Sequence, residues 1–200
     1  MYRFYTILLV TSFSILTACS KHPTEDEIDF YQYLKPDKNG AYLHNFIFAE
    51  TGITKADRLY KVSGNKSSIM YLKSNGDTLS EIEFEASGDK IKYVHTGPMG
   101  VKKGYLKRYI KQYEKPGETS YQQELVNTSL KYNGLGSKVV GNSNCIQLQG
   151  DPGPDVIDNK KTAITFSAYC KGVGLVMSGA SIDGIAQVGI ELVSSETVKP

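Results

Sequence analysis

The chain has no tryptophan, only three cysteines and three histidines in 200 residues, and no large excess of either charge. Each scarcity closes a class of function. Cys19, Cys145 and Cys170 offer no Cys-x-x-Cys spacing for redox or thiolate–metal chemistry. His22, His44 and His95 lie far apart and none stands in a zinc-ligand spacing, so neither a metal nor a cofactor is expected. Asp151, Asp155 and Asp158 do not follow the order of a calcium loop, and the Pro152-Gly153-Pro154 among them reads as a surface turn. Lysine and arginine number 23 against 21 aspartates and glutamates, which leaves no bulk attraction for nucleic acid. The apolar run from Tyr5 to Leu16 is interrupted by Thr6, Thr11, Ser12 and Ser14 and falls short of the ~20 residues a spanning helix needs.

Catalytic patterns are scarce as well. No Gly-x-Ser-x-Gly elbow is present, and Ser143 and Ser178 read as ordinary turn or strand residues. Lys171-Gly172-Val173-Gly174 lacks the third glycine and the following helix that a dinucleotide needs. Glu81 and Glu83 alternate onto one wet strand face, where paired acids are a solvated surface. No acid, base and nucleophile assemble into a set, so the chain is expected not to be an enzyme.

What is present begins at the N-terminus. Arg3, the apolar run and then Leu16-Thr17-Ala18-Cys19 have the layout of a secretory signal peptide. These last four residues resemble the lipobox of bacterial envelope lipoproteins, in which the equivalent cysteine is acylated and becomes the mature N-terminus. The resemblance implies a signal peptide over 1–18, lipidation at Cys19 and a membrane partner reached through the anchor. Buried methylenes contribute ~0.8 kcal/mol each, so the several acyl chains of such lipoproteins hold firmly. Ser20 and Lys21 follow, with no Asp at the second position. By resemblance to enteric lipoproteins this implies the outer membrane, facing the periplasm; in an envelope without one, the protein faces outward from the cell membrane. Removal of 1–18 takes away one charge, Arg3. Residues 19–38 are polar, with Pro23, Pro36 and the acids Glu25, Asp26, Glu27 and Asp29, and are expected as lipidated N-terminus and tether. Within them Asp29 to Leu34 is expected as a short helix or a first strand. Residues 39–196 are expected as one β-rich domain.

The fourteen tyrosines suit half-buried pleated surfaces. Tyr42 to Phe48 is apolar but too short to classify by period. Ser68 to Lys73, Asn75-Gly76-Asp77 and Thr78 to Ala86 read as strand, tight turn and strand. Ile82, Phe84 and Ala86 alternate with Glu81, Glu83 and Glu85, and Ile91, Tyr93 and His95 continue the alternation after Ser87-Gly88-Asp89. These make an antiparallel meander. Gly97-Pro98-Met99-Gly100 is expected to break it. From Lys103 to Lys115, Tyr105, Leu106, Tyr109, Ile110 and Tyr113 sit at helical spacings among lysines. This is expected as one short helical or irregular segment. A basic amphipathic helix on anionic lipid or acidic polymer is the functional reading of it, and a helix or strand packed on the sheet the structural one.

The string Tyr113 to Tyr121, then Asn144-Cys145-Ile146-Gln147-Leu148, then Ala168-Tyr169-Cys170-Lys171-Gly172-Val173-Gly174-Leu175-Val176 carries a second resemblance. It looks like a broad group of bacterial envelope lipoproteins and exported proteins that carry a YxxGvGlV hairpin, with Tyr121 where the group usually has Trp. The resemblance covers about Tyr109 to Val193 and implies a mainly β fold, a curved antiparallel sheet forming an open or half-closed β-barrel. From the residues themselves, Gly172 and Gly174 permit a bulge or close backbone approach. Val173, Leu175 and Met177 are expected to face a core or cavity, and Asp183-Gly184 to turn the chain into a last strand.

Cys145 and Cys170 lie in two strand-like segments on either side of a turn-rich loop, nearly equidistant from its centre near Asp158. In an oxidising compartment this predicts one disulfide between neighbouring strands, pinning their register. The fold-level analogy with half-barrel carriers predicts a non-catalytic binding or carrier-like module for an apolar ligand or a protein segment. The alternatives are a structural or interaction lipoprotein that contacts another envelope component, and an inhibitor of a hydrolase.

Overall fold

Period-two alternation in Glu81–Ala86 is realised as a strand with Phe84 and Ala86 buried and Glu83 in solvent. The computed structural model describes residues 26–38, 40–48, 52–72, 77–117, 123–150, 163–182 and 185–196. A short strand β1 (Ile28–Asp29) and a single helical turn α1 (Tyr31–Leu34) come first. Six strands then run back and forth: β2 (Gly40–Phe48), β3 (Gly52–Ser63), β4 (Lys66–Leu72), β5 (Thr78–Ser87), β6 (Lys90–Gly97) and β7 (Gly100–Lys107). After β8 (Tyr109–Ile110) come β9 (Glu124–Leu130), the turn α2 (Ser137–Val140), β10 (Cys145–Gly150), β11 (Ala163–Cys170), β12 (Gly174–Ile182) and β13 (Ile185–Glu196).

The protein is mainly β, as expected. β2 to β7 form one meander and β9 to β13 another, and β2 pairs with β13 to join them into one eleven-stranded sheet whose edges are β7 and β9. Every pair is antiparallel. The two edges are not paired with each other, but the strap Lys111–Gly117 reaches both. Lys107 N–H donates to Pro116 O at 2.7 Å on the β7 side, and Leu125 N–H donates to Glu114 O at 3.0 Å on the β9 side. The sheet is therefore curved and half closed, with the strap bridging the end of β7 and the start of β9.

Antiparallel order puts all the turns at two ends. The near end holds the β3–β4, β5–β6 and β11–β12 turns, the start of β2, and the end of β7. The far end holds the β6–β7 turn and the starts of β5, β11 and β13. The core sits toward the near end, where Phe84, Ile91, Leu106, Ile146, Leu148, Val176 and Leu192 are buried together with Phe30 and Leu34.

Several expectations are corrected. The tether assigned to 19–38 ends earlier: Phe30, Tyr31, Tyr33 and Leu34 are buried, and Ile28 pairs with Ile110. Four large apolar side chains in a short polar stretch outweigh its acidic composition, since burying each contributes ~1.5–3 kcal/mol. The expected helical or irregular segment from Lys103 begins as strand β7, because Leu106 is buried opposite Ile91 while its neighbours Tyr105 and Lys107 face solvent. Irregular backbone starts only at Lys111. Gly97-Pro98-Met99-Gly100 does not break the sheet but turns it tightly, with Gly97 paired to Gly100 and Gly100 at φ 99°. Of the residues expected to face the core, Val173 is buried and Met177 packs half-buried against it, Leu175 is half-buried, and Val176, not expected there, is fully buried. The register skips Val176, a bulge that turns it inward. The turns at Asn75-Gly76 and Asp183-Gly184 lie outside the described residues, although Leu72 pairs with Thr78 and Ile182 with Ile185 across them. Cys19, His22, Tyr121, Asp151, Asp155 and Asp158 also lie outside the described residues.

Cys145 and Cys170 face each other directly in the β10–β11 pair and are joined, both fully buried. They are 25 residues apart in sequence. For a loop of that size the chain-entropy account gives roughly 3.5 kcal/mol. The variant C145A/C170A is expected to lose stability on the order of 3 kcal/mol in urea unfolding while keeping its β-type circular dichroism. Equal midpoints for the variant and the parent protein would remove the bridge from the stability account.

Candidate functional site

The sequence places an aspartate two residues before an apolar helical turn, and the fold uses it twice. Asp29 Oδ1 accepts from the Tyr31 N–H at 3.2 Å, closing the first turn of α1. The same carboxylate takes a forked pair from Arg108, whose Nε lies 3.1 Å from both oxygens and whose Nη2 lies 2.8 Å from Oδ2. Arg108 also stacks over the Tyr109 ring at 5.2 Å, and the Asp29 hydrogen bonds push its guanidinium pKa further up. Backbone bonds complete the joint: Phe30 N–H to Arg108 O at 2.7 Å, and Arg108 N–H to Asp89 O at 2.8 Å.

The other end of this N-terminal segment docks on the β11–β12 turn. Gly172 N–H donates to Gln32 O at 3.0 Å, and Asp37 N–H donates to Gly172 O at 2.9 Å. Gly172 has φ 72°, and a Cβ there would collide with the Asp37 carboxylate. The close approach expected at this glycine is made by the chain's own N-terminal segment. Asn144 holds it from a third side, donating from Nδ2 to the Tyr33 hydroxyl at 3.1 Å and to Thr128 O at 3.2 Å. The Phe30 ring meets Tyr169 edge-on at 6.0 Å. Ile28 to Asp37 thus forms a plug across the near end of the half-barrel.

The plug decides what the interior can offer. A carrier cavity is expected on the concave face, but at the near end that space is filled by Phe30, Tyr31, Tyr33 and Leu34. The Tyr31 hydroxyl and Ser67 Oγ are buried near each other without a hydrogen-bond partner. Burial pushes the Tyr31 phenol pKa up, opposed by that nearby hydroxyl. Around the plug the surface is dished. One depression of about 460 Å³ is bordered by Asp29, Gln32, Lys35, Asn65, Arg108 and Lys171. A second of about 760 Å³ lies between β7 and the strap. Both open to solvent.

Other residues singled out from the sequence stay apart. His44 lies on β2 opposite Leu192 and Ala56, and His95 on β6 opposite Ile82 and Lys102. Among the described residues no three His, Cys, Asp or Glu side chains gather to hold a metal ion. Glu83 and Glu85 share an outer face with Lys66 and Lys92, and Lys66 pairs with Glu85 at 3.6 Å. Ser178 Oγ meets Ser167 Oγ at 3.3 Å across β11–β12, and the Ser143 carbonyl lies 3.5 Å from Cys145 Sγ. Among the described residues no helix is long and apolar enough to cross a membrane.

The far end is unlike the near one. Leu79, Met99, Val101, Ile164 and Ile185 are large apolar side chains exposed there, Met99 at 89% and Ile185 at 68%. The sequence signal for this rim was weak, because each residue sits singly beside a turn. No protein-family model matches the chain, and no curated protein sequence matches it.

Tyr132 supplies a pH handle on the fold. It is buried, and its hydroxyl donates to Glu191 Oε1 at 3.2 Å, the same oxygen that accepts from the Leu135 N–H at 2.9 Å. Burial first, and the Glu191 charge second, push its pKa up to about 12 from 10.0. A raised phenol pKa contributes stability that is complete below pH 10 and is lost as pH climbs toward 12. Tyr31, Tyr33 and Tyr42 are shifted in the same direction. Unfolding midpoints are expected to fall over that interval, and less steeply in Tyr132→Phe. An unchanged slope in that variant would show that Tyr132 is not among the groups responsible.

Proposed function

We propose that the chain is a lipid-anchored protein of the bacterial cell envelope that acts by binding an apolar protein segment rather than by catalysis. The anchor reading rests on Leu16-Thr17-Ala18-Cys19, with Cys19 as the acylated residue and the outer membrane, periplasmic side, as its place. The binding reading is carried by one observation: five large apolar side chains, Leu79, Met99, Val101, Ile164 and Ile185, stand exposed at one end of the sheet. Single exposed apolar residues are ordinary; these five share one end of the sheet, Leu79, Met99 and Val101 on β5–β7 and Ile164 and Ile185 on β11 and β13, and that sharing is what supports a binding rim. A filled near end favours an interaction lipoprotein over a carrier that swallows its ligand, and the two differ in what co-purifies.

Two experiments test the two halves. Replacing Cys19 with Ala is expected to abolish labelled-palmitate uptake and partition into detergent; unchanged labelling sinks the anchor. A photo-crosslinking residue placed in cells at Met99 or Ile185 is expected to give a discrete protein adduct, with none from Glu83 in mid-sheet. Equal adducts at all three positions, or none at the rim, count against the binding surface. Lipid held in a one-to-one ratio by the purified protein after removal of detergent would favour the carrier instead.

A further inference from the structure

The disulfide and the plug meet at one place in the sheet. Cys145 is the first residue of β10 and Cys170 the last of β11, so the bridge joins the terminal pair of that ladder. One backbone bond lies beyond it, Lys171 N–H to Asn144 O at 2.9 Å. Asn144 then leads back into the turn after α2, and Gly172 into the turn toward β12. The plug is held on this side by the residues just past the cysteines. Asn144 donates to the Tyr33 hydroxyl, Gly172 N–H donates to Gln32 O, and Gly172 O accepts from Asp37 N–H. Pro36 bridges to Gly172 and Val173 as well. Asn144 is next to Cys145, and Gly172 and Val173 follow Cys170 by two and three positions. The plug's other anchor, Asp29 and Phe30 on Arg108 and Ile28 on Ile110, uses no residue near either cysteine.

We infer that the Cys145–Cys170 bridge is a redox latch on the plug. Oxidised, it holds together the two strand ends that bind Gln32 to Asp37. Reduced, it lets that half of the plug lift while Asp29 stays on Arg108. Ladder ends open at lower cost than ladder centres, and a covalent link at the terminal pair removes that freedom from the residues that grip the plug. The half that lifts carries Tyr33 and Leu34, both buried, so its release uncovers apolar surface beside Phe30 at the near end. The reaction is thiol–disulfide exchange with a dithiol. One dithiol sulfur attacks a bridge sulfur as thiolate and displaces one cysteine; the second dithiol sulfur then displaces the other and closes its own disulfide. Two electrons pass to the bridge, and the two protons of the dithiol end on Cys145 and Cys170. The latch uses only groups at the near end and requires neither the lipid anchor nor the far rim.

Backbone hydrogen exchange on the full chain tests this. The oxidised protein is compared with protein reduced by dithiothreitol in urea and refolded in the same dithiol. Exchange is followed at low urea, where an opening confined to the plug shows little urea dependence and global unfolding a steep one. In the reduced protein the Gly172 and Asp37 N–H groups are expected to exchange about tenfold faster through the urea-independent route, the worth of one or two hydrogen bonds. The Phe30 N–H, on the Arg108 anchor, should keep its urea-independent rate. Plug amides that keep the rate of the oxidised protein overturn the latch. So does acceleration that is only urea-dependent and shared with Phe84 and Tyr93 in the sheet, which leaves the bridge as a constraint on the unfolded chain. If the reduced chain does not refold, C145A/C170A takes its place and is read by the same two outcomes.

Discussion

The fold depends on a ten-residue segment that is not part of the main sheet. An eleven-stranded antiparallel sheet that is open along β7 and β9 twists and bends at its bulges, but its ladder gives no direct tie between those two edge regions. The plug supplies one. It is fixed to the β7 side by Arg108, to the β11–β12 turn by Gly172, and to the β9–β10 connection by Asn144. Those three elements belong to the two opposite halves of the sheet, so one segment ties both halves to the same apolar cluster. Phe30 and Leu34 are the fillers that make the tie favourable; the polar bonds set its register. An exposed arginine–carboxylate pair is usually worth little, but here the carboxylate is mostly buried and doubles as the brace of α1.

The strap and the disulfide extend the same logic. Lys111–Gly117 bonds to β7 on one side and β9 on the other, replacing a missing strand pair with a few bonds and no added sheet. Lys107 and Glu114 pair across its base, and that lysine holds the Glu114 carboxyl below its usual range. At β10–β11 the bridge locks residues that already face each other, so it fixes register rather than shape. Bulges do the bending: the register skips at Val176 in β12 and again near Gly179 and Val193.

Much of this was legible in the sequence because it follows from local rules. Alternation in Glu81–Ala86, turn residues at Ser87-Gly88-Asp89, and the equal spacing of Cys145 and Cys170 about a loop each carry their own geometry. What was illegible depends on distant partners. Composition marks Ser20–Lys38 as a tether, and nothing local says that Phe30 will meet Tyr169 or that Asp29 will meet Arg108, 79 residues away. The lysine-rich stretch from 103 to 115 has helical spacing by accident. Its fate was settled by β6, which offers Ile91 and Tyr93 to Leu106 and Gly104 across a strand pair. A Cβ at Gly104 would lie 2.7 Å from the Tyr93 ring, so that glycine admits the aromatic rather than loosening the strand. The far rim was missed because exposed Leu, Met and Ile beside turns carry no sequence signature until a fold gathers them at one end.

The two ends of the half-barrel therefore have different chemistry for a physical reason. A plug that enters at one end fills the apolar interior there with Phe30, Tyr31, Tyr33 and Leu34. At the far end no such segment is described, and Leu79, Met99, Val101, Ile164 and Ile185 keep apolar surface in solvent. Strands of eight to twelve residues separate the ends by roughly 30 Å, at ~3.3 Å per residue. The chain enters the described fold at the plug, and the apolar rim stands at the opposite end, separated from it by the length of the strands. The same ten residues thus close the fold and make its two ends unlike.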